Sequence, residues 1–332
     1  MKISLPSQMR KVSDQKLLRE LEHDMQEVEV RIEKATRHTE AMINKMSSHL
    51  SSAGGKRMRP VLVLLTSRLG QGPISDVIDA AVVMEITHLG TLYHDDVMDQ
   101  APRRRGVDTA HTIWGNNIAI LTGDLLFARA SNLVSGLGEE ALKLQAEVFE
   151  QLVLGQMHET LGPQKDQKPL DHYLNVLRDK TGSLIALSAR LGALLSGADR
   201  KYQQPLQIFG EKVGIAFQLM DDIIDIQSDD DKSGKTPGTD LLAGVPTLPT
   251  LMLREYQDEE SRALSAQIEH GLSEENLTEV VSKLRAHPVM QRAYEATRQW
   301  SHEAITAIDA LPEGSVKSAL IAFAEAVVER EG

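Results

Sequence analysis

Apolar residues recur at helical spacing along most of the chain. Leu18, Leu21, Met25, Val28 and Ile32 fall three or four apart in a stretch rich in Glu, Lys, Arg and Met, which predicts amphipathic helices within residues 12–50. Gly54 and Gly55 break that pattern, and Pro60 can open the next helix, expected over about 61–69. One long helix is expected over 76–98, and residues 117–135 and 142–158 read as two bundle helices. The polar stretch 162–169 predicts a loop, after which helices are expected over 173–195 and 209–226. A polar, glycine-containing loop over 229–244 follows, and beyond Pro249 charge alternates with apolar helical spacing to Glu331.

Composition narrows the picture. A chain of 332 residues with 41% hydrophobic content can bury a large core, and no linker, low-complexity segment or solenoid repeat divides it, so one domain over 1–332 is expected. A formal charge of -12 argues against general nucleic-acid binding, which needs clustered cations over an extended surface. The absence of cysteine excludes disulfides and thiolate zinc sites. The N-terminal MKISLPSQMRK has no apolar signal core, and apolar runs are broken by charge before spanning length, so a cytoplasmic protein without a transmembrane segment is expected.

The chemistry gathers at two repeated strings. Asp95-Asp96-Val97-Met98-Asp99 and Asp221-Asp222-Ile223-Ile224-Asp225 are both DDxxD, and 221 minus 95 sets them 126 positions apart. Residues four apart share one helix face, so Asp95 pairs with Asp99 and Asp221 with Asp225. Both runs sit in apolar sequence, where an uncompensated carboxylate would take up a proton. Oxygen-only clusters favour hard cations, and Mg²⁺ characteristically shares its coordination between carboxylates, water and substrate phosphate. Two such clusters facing one cavity would hold a diphosphate between metals.

Cations lie close by. Lys56, Arg57 and Arg59 occupy the helix-opening turn, and Arg103-Arg104-Arg105 follow the first aspartate run, a placement that fits a shared polyanion. Lys180 sits amid apolar and small residues, where an inward lysine wants an anion. Gly90, inside the long helix, costs about 1 kcal/mol relative to Ala, so a gain in space or packing is expected there.

In order and spacing, GGKRMRP, the helix ending DDVMD, RRRG, KTG, FQLMDDIID and GKTPGTDL resemble the trans-polyprenyl diphosphate synthases over about residues 54–249. The resemblance implies an all-α bundle of long antiparallel helices around a central cavity, with the aspartate runs facing each other, in a homodimer. It implies that Lys56, Arg59, His88 and Arg105 bind isopentenyl diphosphate, while Arg104, Lys180, Thr181, Gln218 and Lys235 attend an allylic diphosphate. Asp95, Asp99 and Asp221 become direct ligands of Mg²⁺, three ions per site, with Asp96, Asp222 and Asp225 completing the clusters. Two departures touch loop closure rather than catalysis: Gly182 stands for a more usual alanine, and Gly244-Val245-Pro246 lacks the frequent lysine.

The implied reaction ionises an allylic C–O bond, lets the isopentenyl double bond attack, and loses a proton to restore an alkene. Positions four and five before Asp95 are Thr91 and Gly90, neither of them bulky. The resemblance implies that aromatic residues there stop growth early, so a medium- to long-chain product is expected, one that would pass to a membrane. Tyr93 should face away, and Gly90→Phe should shorten the product. Two rivals carry their own discriminators: a class I terpene cyclase would form cyclic hydrocarbon and would not need a second diphosphate site. A ferritin-like di-iron protein would use Glu20-x-x-His23 and Glu85-x-x-His88, leaving both aspartate runs idle.

Overall fold

The structure, a computed structural model, describes residues 5, 9, 12–227 and 237–329. Helix α1 (Gln15–Thr36) is capped by Asp14, whose carboxylate accepts the Lys16 and Leu17 amides, and it buries the stripe from Leu17 to Ile32 against the core. It is followed by α2 (Ala41–Ser52), α3 (Met58–Ser67) and α4 (Ser75–Met98). Helix α3 is buried on nearly every side, as an uninterrupted apolar run requires, and lies between α4 and α9 (Ser183–Leu195).

Beyond α4 a two-residue antiparallel ladder, β1 (Arg103–Arg104) with β2 (Val107–Asp108), turns the chain into α5 (Ala110–Trp114) and α6 (Asn116–Val134). Helix α7 (Glu139–Leu161) and α8 (Pro169–Leu177) then lead through a π turn, Arg178–Gly182, into α9. Helix α10 (Gln203–Gln227) carries the second aspartate run. The helices Pro288–Ala307 and Ser315–Val328 pack against α10.

Two apolar clusters form the core, and α10 supplies both: Leu206, Phe209 and Val213 to the larger, Leu219, Met220 and Ile223 to the other. The expected helices therefore form within a few residues of their predicted ends. Among the described residues no helix is long and apolar enough to cross a membrane.

Candidate functional site

A cavity of about 1220 Å³ opens between α3, α4, α6, α7, α9, α10 and the β1–β2 turn. Its acidic wall comes from Asp95 in the last turn of α4, from Asp99 at the cap just beyond it, and from Asp221 of α10. Burial pushes the Asp95 carboxyl up to about 6, against the pull of Lys180 and Arg104 and with the added repulsion of Asp99 and Glu159. A carboxylate so placed gains from a nearby cation. The three carboxylates offer oxygen donors without thiolate or paired imidazole, a donor type that suits a hard divalent ion; among the described residues they do not by themselves close into a three-ligand cluster, so water and phosphate would complete the coordination.

The other three aspartates are occupied by the protein. Asp96 is fully buried and ion-paired with Arg104. Asp222 accepts from the Tyr173 hydroxyl and, at 2.7 Å, from the Leu248 amide, and its burial pushes it up to about 7. Asp225 accepts the Asp240 amide at 3.2 Å. The cavity wall thus carries Asp95, Asp99 and Asp221, the three expected as direct ligands, while Asp96 pairs with Arg104. Successive helical residues point about 100° apart, so Asp96 turns from the wall that Asp95 joins.

The basic wall holds Lys56, Arg59, His88, Arg104 and Arg105 together. Arg59 has a buried Nε without a hydrogen-bond partner, and burial draws its guanidinium down to about 10 despite the opposing Glu85. His88 is held well below its ordinary value by burial and by Arg59 and Arg105, so it is neutral and carries one N–H to donate. Lys56 Nζ stands 5.0 Å from the Phe217 ring centre.

Lys180 and Thr181 come from the π turn and Gln218 from α10, all on the cavity wall. The extra residue of a π turn breaks the helical register, and two consecutive side chains reach one wall here. Lys180 Nζ lies 2.5 Å from Glu159, which also accepts from Gln156 at 2.9 Å. Gly155 makes this crossing close, since a Cβ there would stand 2.8 Å from the Lys180 amide nitrogen. Lys235 lies outside the described residues.

Thr91 lines the cavity as expected, but Gly90 does not. The space above Gly90 is filled by Phe127 of α6, whose ring would be 2.7 Å from an added Cβ. Phe127 tilts against Phe149 of α7 with ring centres 4.7 Å apart, and both line the cavity. Tyr93 does turn away: it is fully buried and its hydroxyl donates to the Met46 carbonyl.

Phe127, Phe149, Gln156 and Glu159 escaped the sequence reading because α6 and α7 carry no charged motif. Gly155 held the available signal: a helix-interior glycine marks close approach, Glu159 follows it at one-turn spacing, and Gln156 lies one turn before Glu159. The paired Glu-x-x-His reading finds no support in the geometry. Glu85 is bonded to Arg57 at 2.7 Å, whereas Glu20 and His23 line a separate surface groove with Arg68.

A family model described as polyprenyl synthetase matches residues 40–284. The chain is 41% identical over 307 residues to the nonaprenyl diphosphate synthase of Mycobacterium tuberculosis, covering 92% of each. It is 35% identical over 301 residues to heptaprenyl diphosphate synthase component 2 of Geobacillus stearothermophilus, covering 90% of this chain and 93% of that one. Its structure matches the geranylgeranyl pyrophosphate synthase of Corynebacterium glutamicum, complexed with calcium and isoprenyl diphosphate, with TM-score 0.87 and 41% identity over 97% of this chain and 99% of that one.

Proposed function

The chain belongs to the polyprenyl synthetase family, and on that footing we propose that it elongates an allylic diphosphate with successive isopentenyl diphosphates to an all-trans, medium- or long-chain polyprenyl diphosphate. One observation carries the reading: carboxylates from α4 and α10 share a cavity with two separate groups of cations and an apolar wall. A single diphosphate would engage only one of the two cationic groups.

In this reading Lys180, Thr181, Gln218 and Arg104 hold the allylic diphosphate, and Lys180 exchanges Glu159 for its oxygens. Lys56, Arg59, His88 and Arg105 hold isopentenyl diphosphate with its double bond toward the allylic carbon. The allylic C–O bond breaks, its electron pair leaving with diphosphate, and the isopentenyl π electrons form the new C–C bond. A proton then leaves the adjacent carbon for the departed diphosphate, so no protein nucleophile is needed. Magnesium ions held by Asp95, Asp99 and Asp221 would neutralise charge growing on the leaving group. Leu152, Leu184 and Phe217 keep water from the cation.

Incubation with farnesyl diphosphate and labelled isopentenyl diphosphate should give linear products lengthened by five-carbon steps. Cyclic hydrocarbon formed without consumption of isopentenyl diphosphate would overturn the reading in favour of a cyclase.

The same reading takes the protein as a cytoplasmic homodimer. Leu121 of α6 and Leu154 and Leu161 of α7 are apolar yet exposed at 62%, 44% and 77%, a pattern that supports an association face. Leu121→Glu combined with Leu154→Glu should convert the dimer to monomer in light scattering; an unchanged mass would place the interface elsewhere.

A further inference from the structure

We propose that Glu29 of α1 is a positioning residue for the isopentenyl diphosphate pocket, acting through Arg57 and Glu85. The inference rests on the pocket assignment above and adds to it a contribution from a helix that lies before the stretch matched by the family model, which begins at residue 40.

Arg57 is the hub. It is 6% exposed and sits at φ 50°, a left-handed conformation that a non-glycine residue holds only when its surroundings over-determine it. They do so here through every guanidinium nitrogen. Glu29 takes Nε at 2.6 Å and Nη2 at 3.2 Å in a two-pronged contact, and Ser51 O accepts from Nη2 at 3.1 Å. Glu85 takes Nη1 at 2.7 Å, and Gly54 O lies 3.4 Å from the same nitrogen. Arg57 has five N–H groups and five acceptor contacts, so it has no donor left for substrate. Its neighbour Arg59, by contrast, keeps a buried Nε without a partner.

The hub reaches the substrate side by two routes. Arg57 heads α3, so its conformation sets where Lys56 and Arg59 emerge on either side of it. Glu85 stands one turn before His88 on α4, and its bonded oxygen is also 3.9 Å from Nη2 of Arg105. Arg105 in turn donates to Leu50 O at 3.1 Å and to Gly54 O, the carbonyl that Arg57 also approaches. Three guanidinium groups, Arg57, Arg59 and Arg105, face two carboxylates, Glu29 and Glu85, so among these five side chains positive charge exceeds negative by one. Neutralising Glu29 would let Arg57 draw Glu85 toward itself and release Arg105 from its place.

The test is steady-state kinetics of Glu29→Gln, isosteric but uncharged, with each substrate varied in turn. The KM for isopentenyl diphosphate should rise about tenfold while that for the allylic diphosphate changes less than about twofold. Glu29→Asp, which keeps the charge on a shorter stem, should recover part of the loss. Equal movement of both KM values, or no movement with either variant, overturns the relay. Arg105→Gln separates the two levels of inference. If it raises the isopentenyl KM and Glu29→Gln does not, the pocket stands and the relay falls; if neither does, the pocket assignment itself falls.

Discussion

Asp95→Asn is expected to lower turnover about a thousandfold while leaving the metal-free protein at least as stable as the parent, and Asp221→Asn to show the same loss of turnover. The two halves have one cause for Asp95. In the metal-free protein its carboxyl is pushed up from 3.8 to about 6, chiefly by burial, so the folded state binds this proton more tightly than the unfolded chain. Such a group lowers stability as pH rises through the window from about 4 to about 6, and the penalty persists above it. At pH 7 an amide of the same shape removes that penalty, worth on the order of 1–3 kcal/mol. Near pH 4 the difference between parent and variant should vanish.

What the carboxylate costs in the free protein is returned when a cation sits beside it. Magnesium with inorganic diphosphate should therefore raise the melting temperature of the parent and not that of Asp95→Asn. Melting curves over this pH range, with and without those additions, check both parts. An Asp95→Asn protein that retained a tenth of its turnover would remove Asp95 from the metal site.

The second large effect is on the product. Phe127→Ala is expected to shift the product to longer chains, because the ring lies level with Gly90, roughly 7.5 Å along α4 from Asp95 at the 1.5 Å rise per residue. The antiparallel register agrees: Gly90 meets Phe127 while His94, one turn nearer the aspartates, lies 3.4 Å from Asp124. Removing a half-buried ring should cost less than the ~3–5 kcal/mol of a fully buried one, so the protein folds. Gly90→Ala should act in the opposite sense by pressing its methyl on Phe127 and moving the ring into the cavity. Gly90→Phe should shorten the product further by the same displacement. Chromatography of the dephosphorylated products decides between them, and an unchanged chain length in all three variants would discard this aromatic pair as the stop.

Much of the site could be read before the fold was known, for a reason specific to this chemistry. Binding diphosphate requires charge, charge in apolar sequence stands out, and helical spacing then says which carboxylates share a face. Asp95, Asp99, Asp221 and Lys180 reach the cavity wall on that logic, Gln218 reaches it as the family resemblance implies, and Gly90 is a place of close packing, as a helix-interior glycine predicts. The same logic could not see that Arg57, embedded among basic residues, is entirely occupied by Glu29 and Glu85. Nor could it see the π turn, because the register change at Lys180 arises where α7, α8 and α10 crowd the same segment.

By itself the sequence determined the helical elements and the acidic and basic groups that gather at one cavity, since periodicity and charge are local properties of the chain. The tertiary structure decided which carboxylates face that cavity, what fills the space over Gly90, and which arginines keep donors for a substrate. Those outcomes depend on contacts between residues far apart in the chain, such as Gly90 with Phe127 and Glu29 with Arg57, and spacing along one helix carries no information about the side chain that a neighbouring helix brings to meet it.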